Sequence, residues 1–219
     1  MQETKSKKPW PTKDAMTQIY EQNLWGGEAG EYFSGEGSHH PMYVLPYVKV
    51  VSDFLNQFDE KPSVCDLGCG DFNVGKQLYE CSSEYIAVDI VPELINRNRM
   101  LYKAEHLEFR CLDIAKDDLP IADVALIRNV LQHLSNTEVQ AVVDKLSRFN
   151  YVILTEHLPE GEFTPNIDII SGQGIRLKKG SGVDITAPPF NFDFVRREEL
   201  LRIPFEEGKG EIVTTLFKV

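Results

Sequence analysis

No apolar run in this 219-residue chain approaches the length of about 20 that a membrane-spanning helix requires, so no membrane partner is expected. Residues Met1 to Lys8 hold lysines without an apolar stretch behind them; they do not read as a secretory signal, and the expected location is cytoplasmic. Positive charge is scarce: 23 Lys and Arg stand against 34 Asp and Glu, a formal charge of −11. That balance repels phosphate backbones, so nucleic acid is not expected as a substrate. Lys5, Lys7 and Lys8, the pair Lys178 and Lys179, and Arg196 with Arg197 read as solvated surface. Cysteine is confined to positions 65, 69, 81 and 111, with no Cys-x-x-Cys pair. Cys65 and Cys111 fall on expected strands, so buried free thiols are expected rather than a metal site or disulfides.

What is present suits one α/β domain with a full core. Its centre is Ser63-Val-Cys-Asp-Leu-Gly-Cys-Gly70, an apolar run to Asp66 followed by two glycines one residue apart. A strand that stops at the carboxyl edge of a sheet and turns at once into a helix has this form. Gly68 and Gly70 can take positive φ and leave N–H groups open to a carboxylate, a phosphate or a ribose edge. The dinucleotide fingerprint Gly-x-Gly-x-x-Gly is not met, because position 73 is Asn and the next glycine is Gly75. A turn with no ligand remains an alternative. Tyr85 to Val88 reads as the next strand and ends in Asp89, near the spacing of about 20 residues at which a ribose-binding carboxylate follows such a turn. Leu107 to Asp113 alternates apolar and polar residues, as a half-exposed edge strand would.

Asp66-Leu-Gly-Cys-Gly70, with Asp89 and Asp113 closing the two following strands, resembles the class I S-adenosylmethionine-dependent methyltransferases. The Asn129-Val-Leu-Gln-His-Leu134 segment extends the resemblance, and Trp25-Gly26 with Ser34-Gly-Glu-Gly-Ser38 is similar to the leader of a bacterial subgroup associated with small-molecule or sugar methylation. The resemblance implies a doubly wound, mostly parallel seven-stranded sheet of order 3-2-1-4-5-7-6 with strand seven antiparallel. It implies S-adenosyl-L-methionine as cofactor, held by Trp25, Ser34, Asp66, Gly68, Cys69, Gly70, Asp89, Ile90, Asp113, Ile114, Arg128 and Asn129. Within that set Asp89 would accept both ribose hydroxyls, Asp113 would bind the adenine amino group, and Ile114 would supply a backbone N–H and an apolar contact. Two other readings stand beside it: a sensor or partner subunit that binds the cofactor without transferring methyl, and a nicotinamide-dependent oxidoreductase.

Along the chain, residues 1–60 read as a helical leader and cap and 61–219 as the catalytic part of one structural domain. Thr12 to Leu24 suits a helix. The glycine-rich piece from Trp25 to Ser38 reads either as a cover that folds over something or as an exposed linker. Val44, Val48, Val51, Leu55 and Phe58 form one helical stripe, with Pro41 in its first turn and Pro46 marking its start or a kink. Asn73 to Glu80 is expected to be the first crossover helix, with Val74 and Leu78 inward, and Pro92 opens the second. Ser135 and Glu138 predict a capping box ahead of a helix. Residues 158–191 show no period and read as a lid on the substrate side. Leu200 to Phe205 and Glu211 to Val219 predict a closing antiparallel hairpin, although Arg197 to Leu201 also tolerates helix. His157, Glu156 and His133 follow strands at the reactive edge and are the candidate bases for transfer to oxygen. For His133 the alternative is a hydrogen-bonded anchor for the next helix. The expected acceptor is a small, neutral or hydroxylated molecule such as a sugar, and Arg176 or Lys178 is available from the lid for an acidic group. Nothing in the sequence speaks to oligomeric state.

Overall fold

The computed structural model describes residues 9–28, 30–206 and 208–219; the expectations for residues 1–8, including Lys5, Lys7 and Lys8, and for Glu207 lie outside the described residues. Seven strands form one sheet: β1 Ser63–Leu67, β2 Glu84–Asp89, β3 Leu107–Cys111, β4 Val124–Arg128, β5 Tyr151–Leu158, β6 Arg196–Pro204 and β7 Glu211–Lys218. Their order is β3-β2-β1-β4-β5-β7-β6. β7 runs antiparallel to both β5 and β6, and the remaining pairs are parallel. This is the expected sheet, and Arg197 to Leu201 is strand rather than helix.

The helices are α1 Thr12–Glu21, α2 Glu36–His39, α3 Pro41–Leu55, α4 Pro92–Leu101 and α5 Asn136–Leu146. Strand periodicity sorts side chains onto two faces. Val64, Leu126 and Ile153 pack with Val51, Phe54 and Leu55 of α3. Cys65, Leu67, Ala125, Ile127, Val152 and Leu154 pack on the other side with Ile19 of α1, Leu94 of α4 and Val139, Val142 and Leu146 of α5.

Four expectations need correction. The stretch from Asn73 to Glu80 is two 3-10 turns, Gly75–Gln77 and Tyr79–Cys81, not a crossover α-helix. Phe72 takes φ 66° and turns its ring inward against Tyr85, Tyr102 and Phe109, filling the space a regular helix would cover. Leu78 is buried as expected, but through this turn. Pro46 lies inside α3, which starts at Pro41 with the His40 Nδ1 accepting the Met42 N–H at 3.2 Å. Cys111 is exposed, because β3 is the sheet edge and its alternate residues face outward; Cys65 is buried. Within 158–191 only Arg176–Lys179 is regular, and the far half is core rather than lid. Val183, Ile185 and Phe190 are buried there, and the Asn166 side chain donates to the Asp184 and Pro188 carbonyls and accepts the Asp184 N–H.

Candidate active site

A cavity of about 380 Å³ lies over the carboxyl ends of β1 to β5, where the strand order reverses between β1 and β4. That is where an open α/β sheet leaves a crevice, and the volume is in the range of about 300–1,000 Å³ of small-ligand sites. Its floor is the glycine loop with Asp66, Asp89, Ile90, Asp113 and Ile114, and its far end holds Arg128, Asn129, Gln132 and His157. Its roof is the leader, through Tyr20, Trp25, Ser34 and Ser38, joined by Gln173 and Ile175. The segment from Trp25 to Ser38 is therefore a cover.

The two loop glycines are required by packing. Gly68 has φ 89°, and an added Cβ would stand 2.4 Å from Val130 Cγ2. Gly70 has φ 56°, and its Cβ would stand 2.4 Å from Ser34 Oγ, so the leader sits directly on the loop. The expected open N–H groups are not found. Gly68 and Cys69 both donate to the Val88 carbonyl, at 2.8 and 2.9 Å, Gly70 donates to Asp89 Oδ2 at 3.0 Å, and Asp71 donates to Ser34 Oγ at 3.0 Å. A phosphate would find these donors already engaged.

Charge points the same way. Four carboxyl groups, Asp66, Asp71, Asp89 and Asp113, line the cavity, and Arg128 is the one Lys or Arg among the lining residues. The Arg128 Nη atoms donate to the Gly37 carbonyl and Ser38 Oγ, and the guanidinium lies 4.8 Å from the centre of the Tyr47 ring. Burial pushes Asp66 up to about 7, against the hydrogen bond donated by the Tyr85 hydroxyl. Burial also raises Asp89. For Asp71 the burial effect is outweighed by His39, whose Nε2 lies 2.5 Å away, and by the Asn73 and Ser34 N–H groups, so its carboxyl falls below the usual range. Such a site suits a ligand that carries positive charge and hydroxyl donors, as a sulfonium nucleoside does, better than one that must place an anionic pyrophosphate there.

The two histidines at the far end are told apart by their partners. The His157 backbone N–H can only donate, so its partner 3.2 Å away is correctly Gln132 Oε1, which leaves Gln132 Nε2 facing His133 Nε2 at 3.3 Å. His133 Nε2 is then an acceptor, and its Nδ1 carries the proton and donates to the Gly172 carbonyl at 3.1 Å. Burial drops His133 to about 4, so it is neutral with both nitrogens used, and Trp25 stands over it at 5.0 Å. His133 is an anchor, which corrects its candidacy as base. His157 Nε2 lies 2.7 Å from the Lys209 carbonyl and must donate, so its lone pair is on Nδ1, which has no hydrogen-bond partner among the described residues. Burial lowers this imidazole too, keeping the lone pair free at neutral pH. Glu156 is corrected as well: it does not line the cavity, its Oε1 accepts the Leu131 N–H at 3.1 Å, and burial raises its carboxyl to about 8.

Two further expectations change. Arg176 is buried, with its Nη atoms bonded to the Leu131, Gln132 and Leu134 carbonyls and Asn136 Oδ1, so it fastens the roof instead of meeting a ligand; Lys178 is exposed and outside the lining. Ser135 Oγ accepts the Glu138 N–H at 3.4 Å, but the Glu138 carboxylate turns outward from the box. It accepts the hydroxyls of Thr12, Ser135 and Ser171, tying α1, α5 and the lid together.

Asp113 has Oδ1 on the Ala115 N–H and Oδ2 2.6 Å from Lys116 Nζ. Sequence reasoning missed Asn98, His39, Gln132 and Phe205. Asn98 had a signal, a polar residue on the buried stripe of α4 with Leu94 and Ile95; fully buried, it donates to the Gly70 carbonyl at 2.8 Å. The other three had none: His39 and Phe205 meet partners far away in the chain, and Gln132 joins its neighbour His133 to the remote His157. Among the described residues no group of His, Cys, Asp and Glu is placed to hold a metal ion, and no helix is long and apolar enough to cross a membrane.

Residues 64–150, from β1 to the end of α5, match the family model of a methyltransferase domain. No curated protein sequence matches the chain. Among solved structures, the N-methyltransferase NodS of Bradyrhizobium japonicum WM9 with S-adenosylhomocysteine is similar at TM-score 0.67 and 12% identity, over 94% of this chain and 98% of that one. The magnesium protoporphyrin IX methyltransferase of Synechocystis PCC 6803 with bound S-adenosylmethionine gives 0.59 and 15%, over 98% and 100%. The 1,6-didemethyltoxoflavin-N1-methyltransferase of Burkholderia thailandensis gives 0.58 and 14%, over 98% and 93%. These likenesses establish a shared fold, the one that the sheet order and the site over its carboxyl edge describe.

Proposed function

We propose that this chain is a class I S-adenosylmethionine-dependent methyltransferase that methylates an oxygen of a small neutral acceptor, with His157 as base; the methyltransferase-domain match and the shared fold support the class. The observation that carries the reading is the pairing of an acid-lined floor, whose loop N–H groups are already engaged, with an unpartnered imidazole lone pair at the other end of the same cavity. The structurally similar enzymes act on small molecules, at nitrogen in two of the three by name, so the choice of oxygen rests on His157 alone. A single domain with two covers, the leader and the segment from residue 158, fits a reaction in an enclosed site. Free thiols throughout the described chain suit the cytoplasm.

When bound, S-adenosylmethionine supplies a sulfonium methyl; the acceptor oxygen forms the new bond to carbon as the sulfur–carbon bond breaks, and S-adenosylhomocysteine leaves. Asp89 retains lone pairs beyond those used by Gly70 and Val91, enough to accept ribose hydroxyls. Asp113 closes the adenine end beside Ile90 and Ile114, and Asn129 Oδ1 is buried without a partner, free to accept from the methionine ammonium. Trp25 and Ser34 complete the cover, and with the roof closed water is excluded. His157 Nδ1 takes the hydroxyl proton, which the sulfonium's loss of charge makes favourable overall.

The test is incubation with S-adenosylmethionine and a metabolite extract, read as S-adenosylhomocysteine formed. Thermal stabilisation by the cofactor, then turnover that falls by about 10²–10⁴-fold in His157→Ala with cofactor affinity retained, is the expected result. Cofactor binding with no turnover on any extract would leave a binding protein instead, and His157→Ala turning over like wild type would remove the base.

A further inference from the structure

We infer that the acceptor is a neutral hydroxylated aromatic ring, held between the Gln132 carboxamide and the Phe205 ring, and that Gln132 is the residue selecting it. The inference rests on the methyltransferase reading and says what enters the far end of its cavity. Gln132 is 7% exposed and lines that cavity. A carboxamide offers two N–H donors and an oxygen with two lone pairs. One N–H goes to His133 Nε2 and one lone pair to the His157 N–H. One donor and one acceptor are left on a side chain held rigidly at both ends. Gln132 is bonded to the His157 backbone, and both residues line the one cavity, so a group bound by Gln132 and a hydroxyl facing His157 can belong to one small molecule.

Shape comes from the apolar part of the lining. Phe205, at the tip of the β6–β7 hairpin, stacks on Tyr43 with centroids 4.7 Å apart and planes at 30°, and the His157 ring lies 4.4 Å away. Ile175 and Ile212 continue this wall into the cavity. An aromatic and aliphatic lining in the same cavity as two hydrogen-bonding groups suits a flat apolar ring with a polar edge. Charge decides the rest. Arg128 and Arg176 are committed to carbonyl and side-chain oxygens, and the carboxyl groups of the floor face the same space, so an acceptor carboxylate or phosphate would be desolvated without a cation to meet it.

The test uses protein saturated with S-adenosylhomocysteine and three probes measured by calorimetry: catechol, its anionic counterpart 2,3-dihydroxybenzoate, and methyl glucoside. Catechol is expected to bind about tenfold or more tighter than either of the others. Gln132→Ala should weaken catechol by about 5–50-fold, as the loss of one or two hydrogen bonds predicts, while affinity for S-adenosylhomocysteine stays within about twofold. A merely structural role for Gln132 would move both affinities together. Phe205→Ala, on the half-buried hairpin tip, carries the same expectation and does not depend on the turn that Gln132 stabilises. Equal binding of catechol to wild type and both variants, dihydroxybenzoate or the glucoside binding as tightly, or no catechol binding at all would each overturn the inference. Failure of S-adenosylhomocysteine itself to bind would instead sink the methyltransferase reading beneath it.

Discussion

The floor and the roof of the cavity are held by different kinds of bond. The floor is a parallel ladder in which β1 lies between β2 and β4, and its loop is fixed by neighbours across that ladder, the Val88 carbonyl and the Asp89 carboxylate. The roof has little backbone pairing with the sheet. It hangs on single side chains that cross long stretches of sequence: Arg128 to Gly37 and Ser38, Gln173 to the Leu24 carbonyl, Glu138 to Thr12 and Ser171, and Arg176 to the turn after β4. The difference implies that the floor is preformed while the roof is the part able to open, since few bonds must break to release it.

The largest effect should come from the floor. Gly68→Ala forces a left-handed backbone onto alanine and a Cβ into Val130, which should cost about 2–4 kcal/mol and lower Tm by about 5–15 °C in thermal denaturation. A Tm within 2 °C of wild type would show that the loop yields, and the floor would no longer be the rigid partner. Next is Asp89→Ala, which removes the acceptor for Gly70 and Val91 and the proposed ribose contacts; S-adenosylhomocysteine affinity should fall by about 10–100-fold in calorimetry. Unchanged affinity would take Asp89 out of the site.

Arg176→Met sharpens the comparison from the other side. It removes the bonds to three carbonyls under the roof, of which only that of Leu131 keeps another partner, the Leu134 N–H, so limited proteolysis between residues 158 and 180 should accelerate by about tenfold, with Tm lowered by only about 2–6 °C. A loss of Tm as large as that of Gly68→Ala would mean that floor and roof unfold as one unit. The narrowest test, confined to one range of pH, is the pH dependence of Glu156. Its folded carboxyl is held near 8 against an ordinary value of 4.5, so between those limits the folded chain keeps a proton that the unfolded chain has released. Stability then falls as pH rises through that window and levels off above it. Glu156→Gln cannot ionise and lacks this slope, so its Tm should match wild type near pH 5 and exceed it by about 5–15 °C at pH 8. Parallel Tm curves would show that the carboxyl is ionised in the fold.

The fold and the floor were legible because their signals are local. Asp66 with its two glycines, Asp89 and Asp113 each stand at or just past the carboxyl end of a strand, two of them apolar and the third alternating, and strand periodicity alone places them on one edge of a sheet. Locality also explains the errors. Asn73 to Glu80 has the spacing of a helix, yet the inward turn of Phe72 into a cluster of three aromatic rings, from β2, β3 and the residue after α4, overrides it. Arg176 and Lys178 look alike in sequence, and only the carbonyls of a turn more than 40 residues earlier take one of them out of solvent.

Sequence by itself determined most of the order of elements, the sheet they form, the edge over which the cavity lies and the acidity of that edge, because each follows from hydrophobic period, turn chemistry or charge within a few residues. Tertiary structure alone decided which of two histidines keeps a free lone pair, that Glu156 supports a turn, and that Gln132 joins His133 to His157. Those outcomes depend on hydrogen-bond partners supplied by strands and loops remote in the chain, and a side chain's proton placement is fixed by the partner it meets.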